Sequence, residues 1–237
     1  QVQESFLPTQ VPMAEGFAFS ALNRPANEVG GDFYLFFNLP QNRLGMAIGD
    51  VSGKGIAAAL FMARFTSDLQ YFAALHDNPA DLFKALNAIL CKRAQQGMFV
   101  TLVYVILEMD TGGISWVNAG HMMPMHIAKT GIRLLGKDEK KGLPLGILPD
   151  AAWEMETFGL QPGDGVLLYT DGIIEARNPA SELFGCNRLK RIARRYRDAP
   201  DTLVRQTVRA VEMFSQGAGQ SGDLTMVVFR REKRQKT

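Results

Sequence analysis

Apolar positions divide the chain into many short strands and two separated blocks of helix. Runs of strand length occupy Phe17 to Leu22, Asp32 to Leu39 and Leu44 to Asp50. From Ile56 the apolar residues recur at helical spacing, and Phe61, Phe65, Leu69 and Phe72 predict one packing stripe. Asn78 and Pro79 then supply an N-cap and a first-turn proline for a second helix. That helix carries Leu82, Leu86, Ile89 and Leu90, and Gly97 stops it. Strand patterns resume at Phe99 to Leu107 and Ile114 to Asn118, around the hairpin turn Asp110-Thr-Gly-Gly113. Shorter ones follow at His126 to Ile127, Ile132 to Leu135, Trp153 to Phe158 and Val166 to Tyr169. Two more helices are expected over 188–196 and 200–214, the second with Val204, Val208 and Val211 on one side. The last strand is predicted over Asp223 to Phe229.

Turn-linked strands and helices in consecutive pairs argue against a βαβ series. About ten strands and four main helices predict an α+β fold with four layers. This is an α-β-β-α sandwich: two mainly antiparallel sheets flanked by helix pairs. Gln1 to Leu7 reads as the last turns of an incoming helix, stopped by Pro8 and Pro12. With no initiator Met, the opening residues suggest a fragment whose upstream region is missing.

Composition narrows the partners. With 46% hydrophobic residues, 21% charged residues and a net charge of +2, the chain is globular and has no global field selecting nucleic acid. Charge is nevertheless uneven: Arg188 to Arg197 holds six basic residues and no acid. A solvated helix face accounts for such a run, and so does docking of an acidic or phosphorylated protein. Cys91 and Cys186 form no disulfide framework or zinc spacing and read as buried thiols of a reducing compartment. No apolar run is long enough to span a bilayer, so a cytoplasmic domain is expected, within a larger sensor protein.

The chemistry gathers at glycine-flanked aspartates. Gly49-Asp-Val-Ser-Gly-Lys-Gly55 ends one apolar run and opens a helix, so Asp50 sits where a buried strand stops. Asp171 and Asp223 also border apolar runs beside a glycine. Each alone is a turn residue; three together place like charges at one end of a sheet, and a cation would compensate them. All-oxygen donors select Mg²⁺ or Mn²⁺ over zinc or copper.

Five motifs in order resemble the SpoIIE/RsbU-type branch of the metal-dependent Ser/Thr protein phosphatases, the PPM or type 2C-like family. They are Gly30-Gly-Asp-Phe-Tyr34, the Asp50 turn, Asn118-Ala-Gly-His121, Tyr169-Thr-Asp-Gly172 and Ser221-Gly-Asp-Leu-Thr225. The resemblance implies two Mn²⁺ or Mg²⁺ ions, with Asp50 bridging them and the Val51 backbone carbonyl on one. Asp171 and Asp223 would complete the set, and Asp32 would join as a ligand or through water. A water activated there would attack phosphorus in line, with no Cys or His intermediate. The expected substrate is a phosphoserine or phosphothreonine on a STAS-type anti-sigma-factor antagonist, within bacterial partner switching. Residues 1–10 are then the end of a linker helix, and 11–237 the phosphatase domain. An upstream sensor would act through the helix pair after Asp50, with homodimer formation. Where the eukaryotic pattern has a histidine in the central turn, this chain has Ser52. Lys54, Arg24 and His121 are candidate substrate-binding groups.

Other readings are weaker. Gly53-Lys-Gly55-Ile-Ala-Ala58 fits a dinucleotide fingerprint, but Asp50 would face the pyrophosphate and no βαβ return follows. Walker A fails, because Ile48 stands where its first glycine belongs. The rival from another class is a phosphatase-fold scaffold with weak or absent catalysis, which has no need of three clustered carboxylates.

Overall fold

The computed structural model describes residues 7–8, 10–53, 55–93, 97–136, 142–216, 220 and 222–233. The expected helix over Gln1 to Leu7 therefore lies almost wholly outside the described residues, as does Lys54. The chain first lays down β1 (Phe17–Arg24), β2 (Asp32–Leu39) and β3 (Arg43–Val51), then α1 (Gly55–Ala73) and α2 (Pro79–Arg93). Next come β4 (Val100–Glu108), β5 (Gly113–Ala119), β6 (Met125–Ala128), β7 (Gly131–Leu134), β8 (Glu156–Gly159) and β9 (Gly165–Tyr169). It closes with α3 (Asp171–Glu175), α4 (Gly185–Arg195), α5 (Pro200–Ser215) and β10 (Leu224–Arg231).

Among the described residues the strands form two five-stranded antiparallel sheets, ordered β1-β10-β9-β6-β7 and β2-β3-β4-β5-β8. Alternation along each strand assigns its faces. In β3, Leu44, Met46 and Ile48 pack between the sheets with Val103 and Val105 of β4 and Val166, Leu168, Val227 and Phe229 of the opposite sheet. Phe33, Leu35 and Phe37 of β2 point the other way, into a layer with Phe65, Leu69, Phe83 and Leu86 of the first helix pair. Tyr169, Met226 and Val228 meet Leu189, Leu203 and Val204 of the second helix group. Three apolar interfaces between four layers bear out the predicted sandwich.

The helix faces differ from the expected stripes. On α1 the buried line is Ala58, Met62, Phe65, Leu69 and Ala73, while Phe61 and Phe72 are half-buried at its margin. The small Ala58 and Ala59 let the first turns lie close on the sheet, which rotates the larger rings aside. Ile56, Leu60, Tyr71 and Leu75 consequently stand open to solvent. Phe65, 1% exposed, is the anchor, and its truncation to Ala would cost about 3–5 kcal/mol. In α2, Phe83 is buried where Ile89 was expected, and Ile89 is only half-buried. In α5, Leu203, Val204, Thr207 and Val211 are buried, and Val208 is half-buried.

Asn78 caps α2 as its spacing predicts, its Oδ1 accepting from the Ala80 amide at 2.8 Å. Buried Asn87 fastens the same helix to the 146–149 loop. Its Nδ2 donates to the carbonyls of Leu148 and Pro149, and its Oδ1 accepts from the Gly146 amide. Helix α3 has no counterpart among the predicted elements, because five residues show no period.

Candidate active site

The alternation that fills the inter-sheet layer also dictates what ends it. Asp50 lies two residues beyond Ile48, so its side chain belongs to that layer at its rim. Asp32 is its cross-strand partner in β2, and Thr101 its partner in β4. Across the gap, Thr170 follows Leu168 by two, and Thr225 precedes Val227 by two. Polar residues of both sheets thus converge where the apolar core runs out.

Hydroxyls stitch the two halves together. Thr170 Oγ1 donates to Asp32 Oδ2 at 2.6 Å and accepts from the Thr225 amide at 3.1 Å. Asn23 Nδ2 donates to the Asp32 carbonyl and to Thr225 Oγ1. Thr170 and Thr225 are fully buried, so neither bond has water as a substitute.

Asp223, one residue before β10, receives amides from the loop opposite. Its Oδ1 accepts from Ala26 at 2.8 Å, and its Oδ2 accepts from Gly31 at 2.9 Å and Asp32 at 3.3 Å. Glycines permit that approach. A Cβ on Gly30 would collide with the Asp223 carboxylate, and one on Gly31 would sit 2.7 Å from the Val51 carbonyl oxygen and 2.8 Å from Asp50 Oδ1. Gly53, with φ of 108°, makes the sharp turn after Val51. Ser52 closes this turn on β4: its amide donates to the Phe99 carbonyl, and its Oγ accepts from the Phe99 amide. Asp171 is the first residue of α3.

Together these segments line a cleft of about 320 Å³ that contains Asp32, Asp50, Asp171 and Asp223, with Asn27, Glu175 and Arg177 at its sides. Burial, then the charges of Asp171 and Asp223, push Asp50 up to about 7. Burial foremost, with Asp50 next, raises Asp32 well above the usual carboxylate range against the opposing hydrogen bonds from Thr170 and Thr225. Among the described residues no three acidic, His or Cys side chains are arranged to hold an ion as they stand, and Asp223 is engaged by amides. The donor chemistry nonetheless suits a hard divalent cation: carboxylates and a backbone carbonyl beside glycine-sized gaps, with more acidic than basic side chains among the described lining residues.

The other candidates lie elsewhere. Arg24 pairs with Glu212 of α5 and is not among the cleft residues. His121 is buried beside Thr101, with Nδ1 2.8 Å from Thr101 Oγ1, and does not line the cleft. Arg177, the cation among the described lining residues, went unnoticed in the sequence, as did the Thr170–Thr225 network. Thr170 and Thr225 stand inside the quoted motifs, and their placement two residues from apolar inter-sheet positions was the available signal. Arg177 stands in irregular chain after a single helical turn and gave none.

This arrangement is the PP2C-type fold. Over 98% of the chain it matches the structure of the RsbU and RsbW domains of a Mycobacterium tuberculosis protein, with a TM-score of 0.82, 24% identity and 64% of that chain covered. The SiaA PP2C domain of Pseudomonas aeruginosa gives a TM-score of 0.82 at 19% identity, covering 97% of this chain and 92% of that one. A family model described as Stage II sporulation protein E (SpoIIE) matches residues 40–232. The chain belongs to this family, the SpoIIE/RsbU-type branch of the PPM phosphatases. It is 31% identical over 176 residues to the phosphoserine phosphatase RsbU of Bacillus subtilis, covering 74% of this chain and 52% of that protein. Protein IcfG of Synechocystis is 28% identical over 258 residues, covering 98% and 40%. The chain thus spans about half the length, or less, of these curated relatives.

Proposed function

We propose that this domain is a divalent-metal-dependent protein phosphatase that hydrolyses a phosphoserine or phosphothreonine, with two Mn²⁺ or Mg²⁺ ions as cofactors. The supporting observation is one cleft that brings together Asp32, Asp50, Asp171 and Asp223, with Asp50 pushed to about 7 by burial and by Asp171 and Asp223. Asp50, the Val51 carbonyl, Asp171 and Asp223 would hold the ions, with Asp32 as a further ligand or acting through water. Bound divalent ions supply an activated water and neutralise charge on the transferring phosphoryl group.

The chain's own residues do the remainder. Thr170 holds Asp32 Oδ2 by its hydroxyl and so sets the orientation of that carboxylate in the cleft. Arg177, whose Nη1 donates to the Ser181 carbonyl, offers the rest of its fork to phosphoryl oxygens. Ser52 is committed to closing its turn. RsbU and a second relative of Bacillus subtilis, RsbP, are both named phosphoserine phosphatases, which supports a phosphoserine substrate; we propose that it lies on a STAS-domain protein in a partner-switching pathway. Control by an upstream sensor region belongs to the same proposal, with the open Ile56, Leu60 and Tyr71 of α1, and Leu75 just beyond it, as the surface for pairing with a second chain.

The scaffold reading draws on one observation, the engagement of Asp223 by three amides. A single experiment separates the two: release of phosphate from a phosphorylated STAS protein and from p-nitrophenyl phosphate, with Mn²⁺, with Mg²⁺ and with chelator. Metal-dependent release is expected. Undiminished release after exhaustive metal removal would refute the mechanism, and no release at saturating metal would favour the scaffold.

A further inference from the structure

The basic run noted in the sequence becomes one wall of a groove on the opposite helix layer. Helices α4 and α5 lie side by side, and a cavity of about 510 Å³ opens between them, lined by residues that include Phe184, Arg188, Arg191, Ile192, Met213 and Phe214. Its floor is apolar: Phe184 and Phe214 meet edge to face at 5.5 Å, and Met213 is 67% exposed above them. No carboxylate lines it among the described residues.

Its cations are unusually uncommitted. Arg188 is held over the Phe214 ring at 4.5 Å, and its Nη1 donates to the carbonyls of Leu183 and Phe184. Those contacts fix the guanidinium in place while using one nitrogen of the fork. Arg191 on the rim, and Lys190 and Arg194 further along α4, make no ion pair with the described residues. Of the six basic residues in the run, only Arg197 has a carboxylate partner among the described residues, Asp198. Like charges so close on one helix repel each other, and a solvated face gains nothing from an open apolar floor beside them.

We infer that this groove docks a segment of a partner protein that carries carboxylates beside a bulky apolar residue. The apolar side chain enters between Phe184, Met213 and Phe214, and the carboxylates meet Arg188 and Arg191. A concave cavity admits single side chains of a peptide, whereas an anionic membrane would meet the convex outer face of α4 instead. Because the groove is built on the opposite helix layer from α1 and shares no lining residue with the aspartate cleft, docking is independent of hydrolysis.

The test uses the whole 237-residue chain and a fluorescein-labelled amphipathic helix of Leu, Phe and Glu, compared with the same helix bearing Lys for every Glu. Fluorescence anisotropy should show the acidic helix bound at least about tenfold more tightly, with affinity falling as salt rises. Arg191→Glu and Met213→Glu, both exposed, should each weaken binding about tenfold while leaving p-nitrophenyl phosphate hydrolysis unchanged. Arg188→Glu also removes contacts within the fold, so the inference does not lean on it. Equal binding of the two helices, or binding indifferent to both variants, would overturn the inference. So would sedimentation with phosphatidylserine vesicles in the absence of any peptide binding.

Discussion

The two sheets contribute to the cleft in different ways. Asp32 and Asp50 are ladder residues, opposite one another on neighbouring strands, and their positions are set by the register that buries Tyr34, Met46 and Ile48. Asp171 and Asp223 stand just beyond β9 and just before β10, on a helix start and a turn. The first pair cannot move without unzipping a sheet. The second pair can move by a change of turn, and Asp223 is at present held by the amides of Ala26, Gly31 and Asp32. A rigid half facing an adjustable half fits a site that completes itself when ligand arrives.

Removing a carboxylate from either half is the hardest test of the comparison. Asp50→Asn and Asp171→Asn should each lower phosphatase turnover on the order of 10³-fold while the far-ultraviolet dichroism stays native. If the halves differ as described, excess Mn²⁺ should restore part of the Asp171→Asn activity and none of the Asp50→Asn activity. Equal rescue would erase the distinction.

The bridge between the halves comes next. Thr170→Val leaves the Asp32 carboxylate and the Thr225 amide without their hydroxyl partner, at a cost of about 1–3 kcal/mol. Denaturant titration should read that loss, together with activity reduced about tenfold. Arg177→Ala should act on the substrate alone, raising KM about tenfold with kcat nearly unchanged. A kcat effect of the same size without a KM effect would remove Arg177 from substrate binding.

The smallest effect is the pH dependence of the metal-free protein. The folded pKa of Asp50, about 7, lies above the ordinary aspartate value of 3.8, so the folded state binds the extra proton. Stability from this group is therefore full below about 4, declines as pH rises towards 7 and levels off above. Asp50→Asn removes this group's part of the slope, leaving the part from Asp32, and should raise the melting temperature at pH 8 by about 5 °C. Thermal denaturation in chelator at pH 5 and pH 8 checks both statements. A wild-type melting temperature that climbs with pH would contradict the sign.

Much of this is legible in the sequence. The spans Asp32 to Leu39 and Leu44 to Asp50 follow from runs of apolar residues, which are continuous because both faces of these strands are buried. Asp32, Asp50, Asp171 and Asp223 were legible because glycines and strand ends bracket them, and the structure gathers them into one cleft. Helix rotation was not legible. Phe61 and Phe65 are equally apolar, and only the contact of Ala58 with the sheet decides which ring is buried. Nor was Asn87, a polar residue within a helical stripe whose partners lie about sixty residues later in an irregular loop. Arg24 and His121 looked available because sequence does not reveal that Glu212 and Thr101 have claimed them.

The strand order of the first sheet bears on how the molecule is made. Strand β1 is synthesised before the other nine described strands, yet its neighbour in the sheet is β10, the last of them, which also separates it from β9. Until that final segment leaves the ribosome, Phe17 and Phe19 have no strand beside them, and Asp223 has yet to meet the loop it holds. The other sheet can close much sooner, from β2 through β8. A chain that stops short of Asp223 would therefore hold Asp32 and Asp50 on a finished sheet, with Asp171 present but without Asp223 opposite. The cleft is then completed in one step once β10 is in place, and any lesion that cuts the chain ahead of Asp223 leaves it incomplete without touching Asp32 or Asp50.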